Sequence, residues 1–151
     1  MLNRYLDVFS SLKKRDVRYL VIGGIAVVLH GVPRATFDLD ILIEPTWDNA
    51  QKLLDAFLDA GLGTAAMTTP KEILEHEITI FQDKVRIDVL TKTPGMDFGS
   101  AWENRVVMAY QGQSFFVTGK TDLVESKKAS GLDVDWEDIR LLNSNAEDRP
   151  I

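Results

Sequence analysis

Two aspartates stand two residues apart in the stretch 36-TFDLDILIE-44, which is otherwise almost wholly apolar. Alternate residues of a β-strand point to the same face, so this spacing predicts that Asp38 and Asp40 converge on one side. The opposite face would carry the apolar alternates Phe37, Leu39, Ile41 and Ile43. A lone D-x-D pair is more often an exposed strand face with two ordinary acids than a site, so further residues are needed to decide.

A third aspartate supports a shared site. Asp88 lies in 84-KVRIDVL-90, mid-strand and on the same face as Arg86. Three carboxylates that meet at neutral pH repel one another, and a divalent cation is the partner that stabilises them. The pattern therefore predicts a metal site formed by Asp38, Asp40 and Asp88.

Two other stretches could bind phosphate. Gly23 and Gly24 stand where an apolar strand gives way to a helix, and backbone N–H groups there suit an anion. Arg34 and Thr36, in 33-PRAT-36, add a guanidinium and a hydroxyl that suit phosphate oxygens. The alternatives are a tight strand–helix junction for the glycines and a pair with a surface acid for Arg34. A carboxylate-held metal facing a phosphate-binding turn is what phosphoryl or nucleotidyl transfer requires.

Hydrophobic periodicity and turn residues predict the elements that position these side chains. We expect helices over 3–15, 25–31, 47–60, 98–103, 120–130 and 135–143. We expect strands over 18–24, 37–43, 77–82, 84–90, 105–110 and 114–118, and a strand then a short helix within 62–75. This mixture predicts an α+β fold with a mixed sheet flanked by helices, a single domain over 1–143 and a loose tail over 144–151.

Composition narrows the class of protein. The 151 residues are 45% hydrophobic, enough for the core of one domain, and include no cysteine. No apolar run is long enough to cross a membrane, and the N-terminus does not resemble a signal peptide, so we expect a cytoplasmic protein. The net charge of −6 argues against an extended nucleic-acid surface, because Lys and Arg supply affinity for phosphate backbones.

The order of these motifs resembles the signature of the nucleotidyltransferase superfamily. It consists of 22-IGG-24, then 38-DLD-40 followed by an apolar run, then 87-IDV-89. The superfamily includes DNA polymerase β, the tRNA CCA-adding enzymes, aminoglycoside nucleotidyltransferases and small bacterial minimal nucleotidyltransferases. The stretch 121–142 is similar to the closing helices of the small bacterial members, some of which belong to toxin–antitoxin systems.

The resemblance implies a role for each motif. Gly23 and Gly24 would hold the triphosphate of a nucleotide, and Asp38 and Asp40 would bind two magnesium ions, with manganese as a substitute. Asp88 would bind the metal that activates the acceptor hydroxyl. Three further residues would contact or neutralise phosphates: Arg34, Thr36 and Lys127. For Lys127 taken alone, a solvated helix position is the alternative.

The chain also departs from the pattern of its relatives. Where they often carry Arg and Lys, the stretch 130-SGLDVD-135 has Leu132 and Val134. Asp135 and Asp138 are expected in the first turn of the last helix, where acids favour the helix dipole. This loss of positive charge puts the affinity for a nucleotide, or the choice of nucleotide, in question.

Two functions remain open at this point. One is transfer of a nucleoside monophosphate from an NTP, such as ATP, to a hydroxyl of a protein, a tRNA or a small molecule, with release of pyrophosphate. The other is a weakly active or inactive binding module, such as a toxin–antitoxin component. A homodimer or a partner protein could complete the acceptor site of so short a chain. A metal-dependent hydrolase is disfavoured, because no histidine or glutamate accompanies the acids.

Overall fold

The computed structural model describes residues 1–35 and 38–144, without the side chains of 133 and 134. Its α-helices are α1 (Leu6–Lys14), α2 (Gly23–Leu29), α3 (Trp47–Asp59), α4 (Pro70–Glu75), α5 (Phe98–Glu103), α6 (Lys120–Ser130) and α7 (Asp133–Ser144). Its strands are β1 (Tyr19–Ile22), β2 (Leu39–Ile43), β3 (Ile78–Gln82), β4 (Arg86–Leu90), β5 (Val106–Tyr110) and β6 (Gln113–Val117). No helix in these residues is long and apolar enough to cross a membrane.

The six strands form one mixed sheet in the order β3-β4-β2-β1-β6-β5. The hairpins β3–β4 and β5–β6 are antiparallel, as is the pair β1–β2, whereas β4 and β6 run parallel to their inner neighbours β2 and β1. The predicted α+β class with a mixed sheet flanked by helices is therefore confirmed.

Alternation along the strands divides the sheet into two faces, one packed on the main core and one, the aspartate face, that carries Asp40 and Asp88. Leu39, Ile41 and Ile43 of β2 point to the main core and are fully buried. They join a cluster with apolar residues of α1 and α3, in which Phe9 stacks on Phe115 with ring centroids 4.5 Å apart. Burying such side chains contributes about 1.5–3 kcal/mol each, which anchors β2 firmly.

The opposite face of the sheet is covered over only part of its area. Leu20, Ile22 and Leu42 form a second, smaller cluster beneath α5, where Ala101 is buried and Trp102 packs alongside. Asp40 lies on this same face, two residues before Leu42. The incomplete cover leaves room for a cavity next to the strand aspartates.

Capping and turn residues explain the boundaries of two helices. Thr46 caps the N-terminus of α3 by accepting a hydrogen bond from the N–H of Asn49, and Gly61 takes a positive φ just after that helix ends. Thr69 caps α4 in the same way, with Pro70 as the first helical residue.

Four details differ from expectation. The strand expected within 62–75 is instead a 3-10 helix over Gly63–Met67, because a run of small residues lacks the branched side chains that favour a strand. Helix α2 begins at Gly23, so the glycines are its first residues. Asp38 occupies a bend before β2, outside the strand. Ser144, where the tail was expected to begin, is the last residue of α7. Thr36, Phe37 and the rest of the expected tail, 145–151, lie outside the described residues.

Candidate active site

Strand register brings two of the predicted aspartates side by side. In the parallel pair β2–β4, Asp40 lies opposite Asp88, and in the pair β1–β2 it lies opposite Ile22. Facing residues on adjacent strands have Cβ atoms about 4.5–5.5 Å apart, so the carboxylates share one location. Two residues from different parts of the sequence therefore meet on the aspartate face, as the sequence predicted.

Gly23 lies directly against Asp40. Its φ is +71°, and a Cβ at this position would clash with Oδ2 of Asp40. Glycine suits the position for two reasons: the backbone conformation is one that side chains disfavour, and a side chain would displace the carboxylate. The chain thus passes from β1 into α2 with its backbone close to Asp40.

The electrostatics of Asp40 reflect a shortage of positive charge. The pKa of Asp40 is raised from 3.8 to about 7, and burial is the largest cause. The charge of Asp88, a hydrogen bond with Asp88 and the charge of Asp38 contribute to the same rise, while Arg86 acts in the opposite direction. A desolvated carboxylate beside like charges is stabilised by a cation in direct contact.

One arginine partly supplies that charge. Nε of Arg86 donates to Oδ1 of Asp88 at 3.0 Å, and Nη2 donates to Oδ2 at 3.3 Å. The same Nε lies 3.7 Å from Oδ2 of Asp38. In this arrangement no three His, Cys, Asp or Glu side chains in the described residues are placed to hold one metal ion. Asp38 turns towards Arg86 at the edge of the site.

A cavity of about 270 Å³ lies beside the carboxylate pair. Four of the predicted site residues line it: Gly23, Asp40, Asp88 and Lys127. Its apolar lining comes from Ile22, Ile78, Leu90, Met96 and Leu123. Gly24, Arg34 and Asp38 do not line it, and Thr36 lies outside the described residues. These four predicted residues, which belong to α2, β2, β4 and α6, therefore line the same cavity.

Lys127 does not lie free in this cavity. Its Nζ lies 3.0 Å from Oδ1 of Asp135 and 3.1 Å from Oδ2 of Asp138. Nη1 of Arg34 lies 2.6 Å from the same Oδ2 of Asp138, and the Ser130 hydroxyl donates to Asp135. The alternative of a solvated Lys127 is wrong, since the residue is buried. The partner of Arg34 is a buried acid of α7 and not a surface acid.

Sequence reasoning missed the partnership of Asp135 and Asp138 with Lys127. The two acids are three residues apart on α7 and so lie on one helix face, which was a detectable signal. The sequence does not say which face of α7 packs on α6. From the sequence alone, the two acids are therefore expected only to favour the helix dipole.

The mixed sheet, with aspartates on adjacent strands and glycines at the start of the helix after β1, is consistent with a nucleotidyltransferase-like fold. The chain belongs to the family described as "Nucleotidyltransferase of unknown function (DUF6036)", whose model matches residues 3–144. A comparison with curated proteins found no match. Membership supports the superfamily resemblance in the sequence.

Proposed function

We propose that this chain is a metal-dependent nucleotidyltransferase that moves a nucleoside monophosphate from an NTP to a hydroxyl acceptor. The main supporting observation is the register pairing of Asp40 with Asp88 at the wall of a cavity that Gly23 and Lys127 also border. Family membership supports the same reaction class.

The residues present suit a hard divalent ion. The donor set consists of carboxylate oxygens, which Mg²⁺ and Mn²⁺ prefer. The raised pKa of Asp40 also supports a cation, because burial beside like charge disfavours its ionised form. Asp40 and Asp88 would hold the metal, and Asp38 would join them after leaving Arg86. Two Mg²⁺ ions, when bound, would supply Lewis-acid stabilisation of charge on the phosphates.

Each remaining residue has a role in binding or orientation. The N–H groups of Gly23 and Gly24 would donate to triphosphate oxygens, and the missing Cβ at Gly23 permits close approach. Asp88 would orient the acceptor hydroxyl. The hydroxyl would pass its proton to the Asp88 carboxylate as its oxygen bonds to the α-phosphorus. The bond from that phosphorus to the oxygen bridging to the β-phosphate would break, and pyrophosphate would leave. Lys127, Arg34 and Thr36 are the proposed phosphate contacts.

The test is transfer of label from α-labelled NTPs in Mg²⁺. ATP, GTP, CTP and UTP are supplied in turn with three acceptor pools: total tRNA, cell protein and small hydroxyl compounds. We expect label transfer by the wild type and its loss in Asp40→Asn. Asp59→Asn, which removes an exposed carboxylate on α3, is the matched control and should transfer normally. Equal transfer by the wild type and Asp40→Asn would contradict the proposal.

A second candidate function rests on the ion pairs that neutralise the charges of Lys127 and Arg34. Lys127 and Arg34 are paired with acids of α7, and the exposed Leu132 stands where relatives often carry a basic residue. This favours a binding module, such as a toxin–antitoxin component, with little or no catalysis. Calorimetry with each Mg²⁺–NTP distinguishes the two. Absence of binding together with a stoichiometric partner protein would support the module, and clear binding of one nucleotide would oppose it.

A further inference from the structure

Arg86 contacts Asp38 and Asp88, two of the carboxylates that a metal ion would bind, so the two cations would compete for them. We propose that Arg86 is the resident counter-ion of the metal-free site and that it leaves Asp38 and Asp88 when a divalent cation binds. This inference deepens the proposed function and rests on it.

The geometry of the guanidinium places the two cations in competition. Nε and Nη2 of Arg86 engage both carboxylate oxygens of Asp88, at 3.0 and 3.3 Å. Nε also lies 3.7 Å from Oδ2 of Asp38. The bidentate fork occupies one lone pair on each oxygen of Asp88 and places positive charge beside them, so a metal ion at Asp88 competes with Arg86.

The side chain of Arg86 can leave without a change in the fold. It is 37% exposed and its partner Asp38 is 45% exposed, so solvent lies next to the ion pair. Partly exposed ion pairs of this kind contribute little to stability, and a divalent ion in their place offers more charge. The backbone of Arg86 is held separately, because the buried Tyr5 donates its hydroxyl to the Arg86 carbonyl at 3.0 Å.

The position of Arg86 along β4 supports the same role. It lies two residues before Asp88, so both side chains project from the aspartate face. Asp40 pairs with no Lys, Arg or His within ion-pair distance in the described part of the chain. Arg86 thus balances the charges of Asp38 and Asp88, and Asp40 is left for the incoming ion.

The proposal predicts the sign of a mutational effect. If Arg86 competes with the metal, its removal tightens divalent binding. If Arg86 instead holds the acids in a metal-ready arrangement, its removal weakens binding. Coupling between a ligand and a competing group commonly amounts to fivefold or more, and we expect a change of at least about that size.

The experiment is a Mn²⁺ titration of the full chain at pH 8, followed by electron paramagnetic resonance of the free ion. We expect Arg86→Gln to lower the Kd at least about fivefold. Arg86→Lys, which keeps the charge but loses the planar fork, should lower it less. Arg140→Gln removes an exposed arginine of α7 that pairs with Glu137 and should leave the Kd unchanged. Circular dichroism confirms that each variant is folded.

Asp40→Asn separates failure of this inference from failure of the function. Mn²⁺ binding that Asp40→Asn abolishes, but that Arg86→Gln leaves unchanged or weakens, would overturn the counter-ion role alone. Equal Mn²⁺ binding by the wild type and Asp40→Asn would overturn the metal-dependent function, and this inference with it.

Discussion

Two charged clusters border the same cavity and differ in composition and exposure. The carboxylate cluster, Asp38, Asp40, Asp88 and Arg86, has three acids for one cation. The helix-pair cluster, Arg34, Lys127, Asp135 and Asp138, has two acids for two cations. The side chains of Lys127 and Asp138 are 10% and 4% exposed, against 37% and 45% for Arg86 and Asp38.

This difference separates a site that can exchange its cation from one that cannot. The carboxylate cluster is short of positive charge, and its outer members Arg86 and Asp38 are open to solvent, so an incoming metal both fits and finds a displaceable partner. The helix-pair cluster is neutral and, apart from the partly exposed Arg34, buried. Helix α7 is anchored nearby by Ile139 and Leu142 in the core. Lys127 therefore makes its strongest contacts with protein, which limits what it can offer to a nucleotide phosphate.

The largest expected effect tests whether the buried ion pairs of the helix-pair cluster stabilise the fold. Lys127→Ala leaves Asp135 and Asp138 buried with only Arg34 to balance them. Breaking a buried ion pair by removing one partner costs about 3–5 kcal/mol in the free energy of unfolding. Urea denaturation measures this loss.

The neighbouring lysine is the matched control. Lys128 is exposed and lies 3.5 Å from Glu125, so Lys128→Ala should cost less than about 1 kcal/mol. If both variants lose the same small amount of stability, the helix-pair cluster is solvated and the comparison fails.

The second prediction concerns the pH dependence of the carboxylate cluster. The pKa of Asp40 is raised from 3.8 to about 7, so the folded chain favours its protonated form. This contribution to stability is fully present below pH 3.8 and is lost as the pH rises through about 7. The loss is at most about 4 kcal/mol. Urea denaturation between pH 4 and 9, without metal, should show the decline.

Two changes should flatten that decline. Asp40→Asn removes the titrating group, and saturating Mg²⁺ supplies the charge that the ionised carboxylate lacks. Asp97→Asn, which alters an exposed helix cap at α5, should keep the slope. A wild-type slope that Asp40→Asn leaves intact would assign the pH dependence to another group.

The third prediction separates backbone strain from contact with the acids. Gly23 and Gly112 have similar positive φ values, +71° and +79°, but only Gly23 lies against Asp40, whereas a Cβ at Gly112 would meet open space. Gly112→Ala should cost about 1–2 kcal/mol, and Gly23→Ala should cost more. In a Mn²⁺ titration only Gly23→Ala should weaken binding. Equal effects of both variants would show that the close approach at Gly23 is unimportant.

The smallest expected effect is at the edge of the helix-pair cluster. Arg34→Gln leaves Asp138 paired with Lys127, so the loss should be about 1–2 kcal/mol. If Arg34 is also a phosphate contact, Mg²⁺–NTP affinity measured by calorimetry should fall beyond what this destabilisation explains. Unchanged affinity would make Arg34 a purely structural residue.

Local sequence patterns were sufficient for most of the fold. The two strands on either side of Asp83, the helix after Thr46 and the short helix Phe98–Glu103 all appear as expected. Period-two alternation also placed Asp40 on the face opposite to Leu39 and Ile41. These features depend on neighbours within a few residues, so the sequence determines them by itself. The 3-10 helix at Gly63–Met67 was missed because small residues carry no clear periodicity.

The sequence by itself therefore determined most of the elements, the α+β class and the set of aspartates that could meet. Only the tertiary structure decided which charges pair. Arg86 engages Asp38, and Lys127 and Arg34 share Asp138, which is 104 residues from Arg34. Coulomb energy depends on separation and burial, and neither quantity is defined until the helices pack on the sheet. A lysine that the sequence offers to a phosphate thus became the partner of two buried acids.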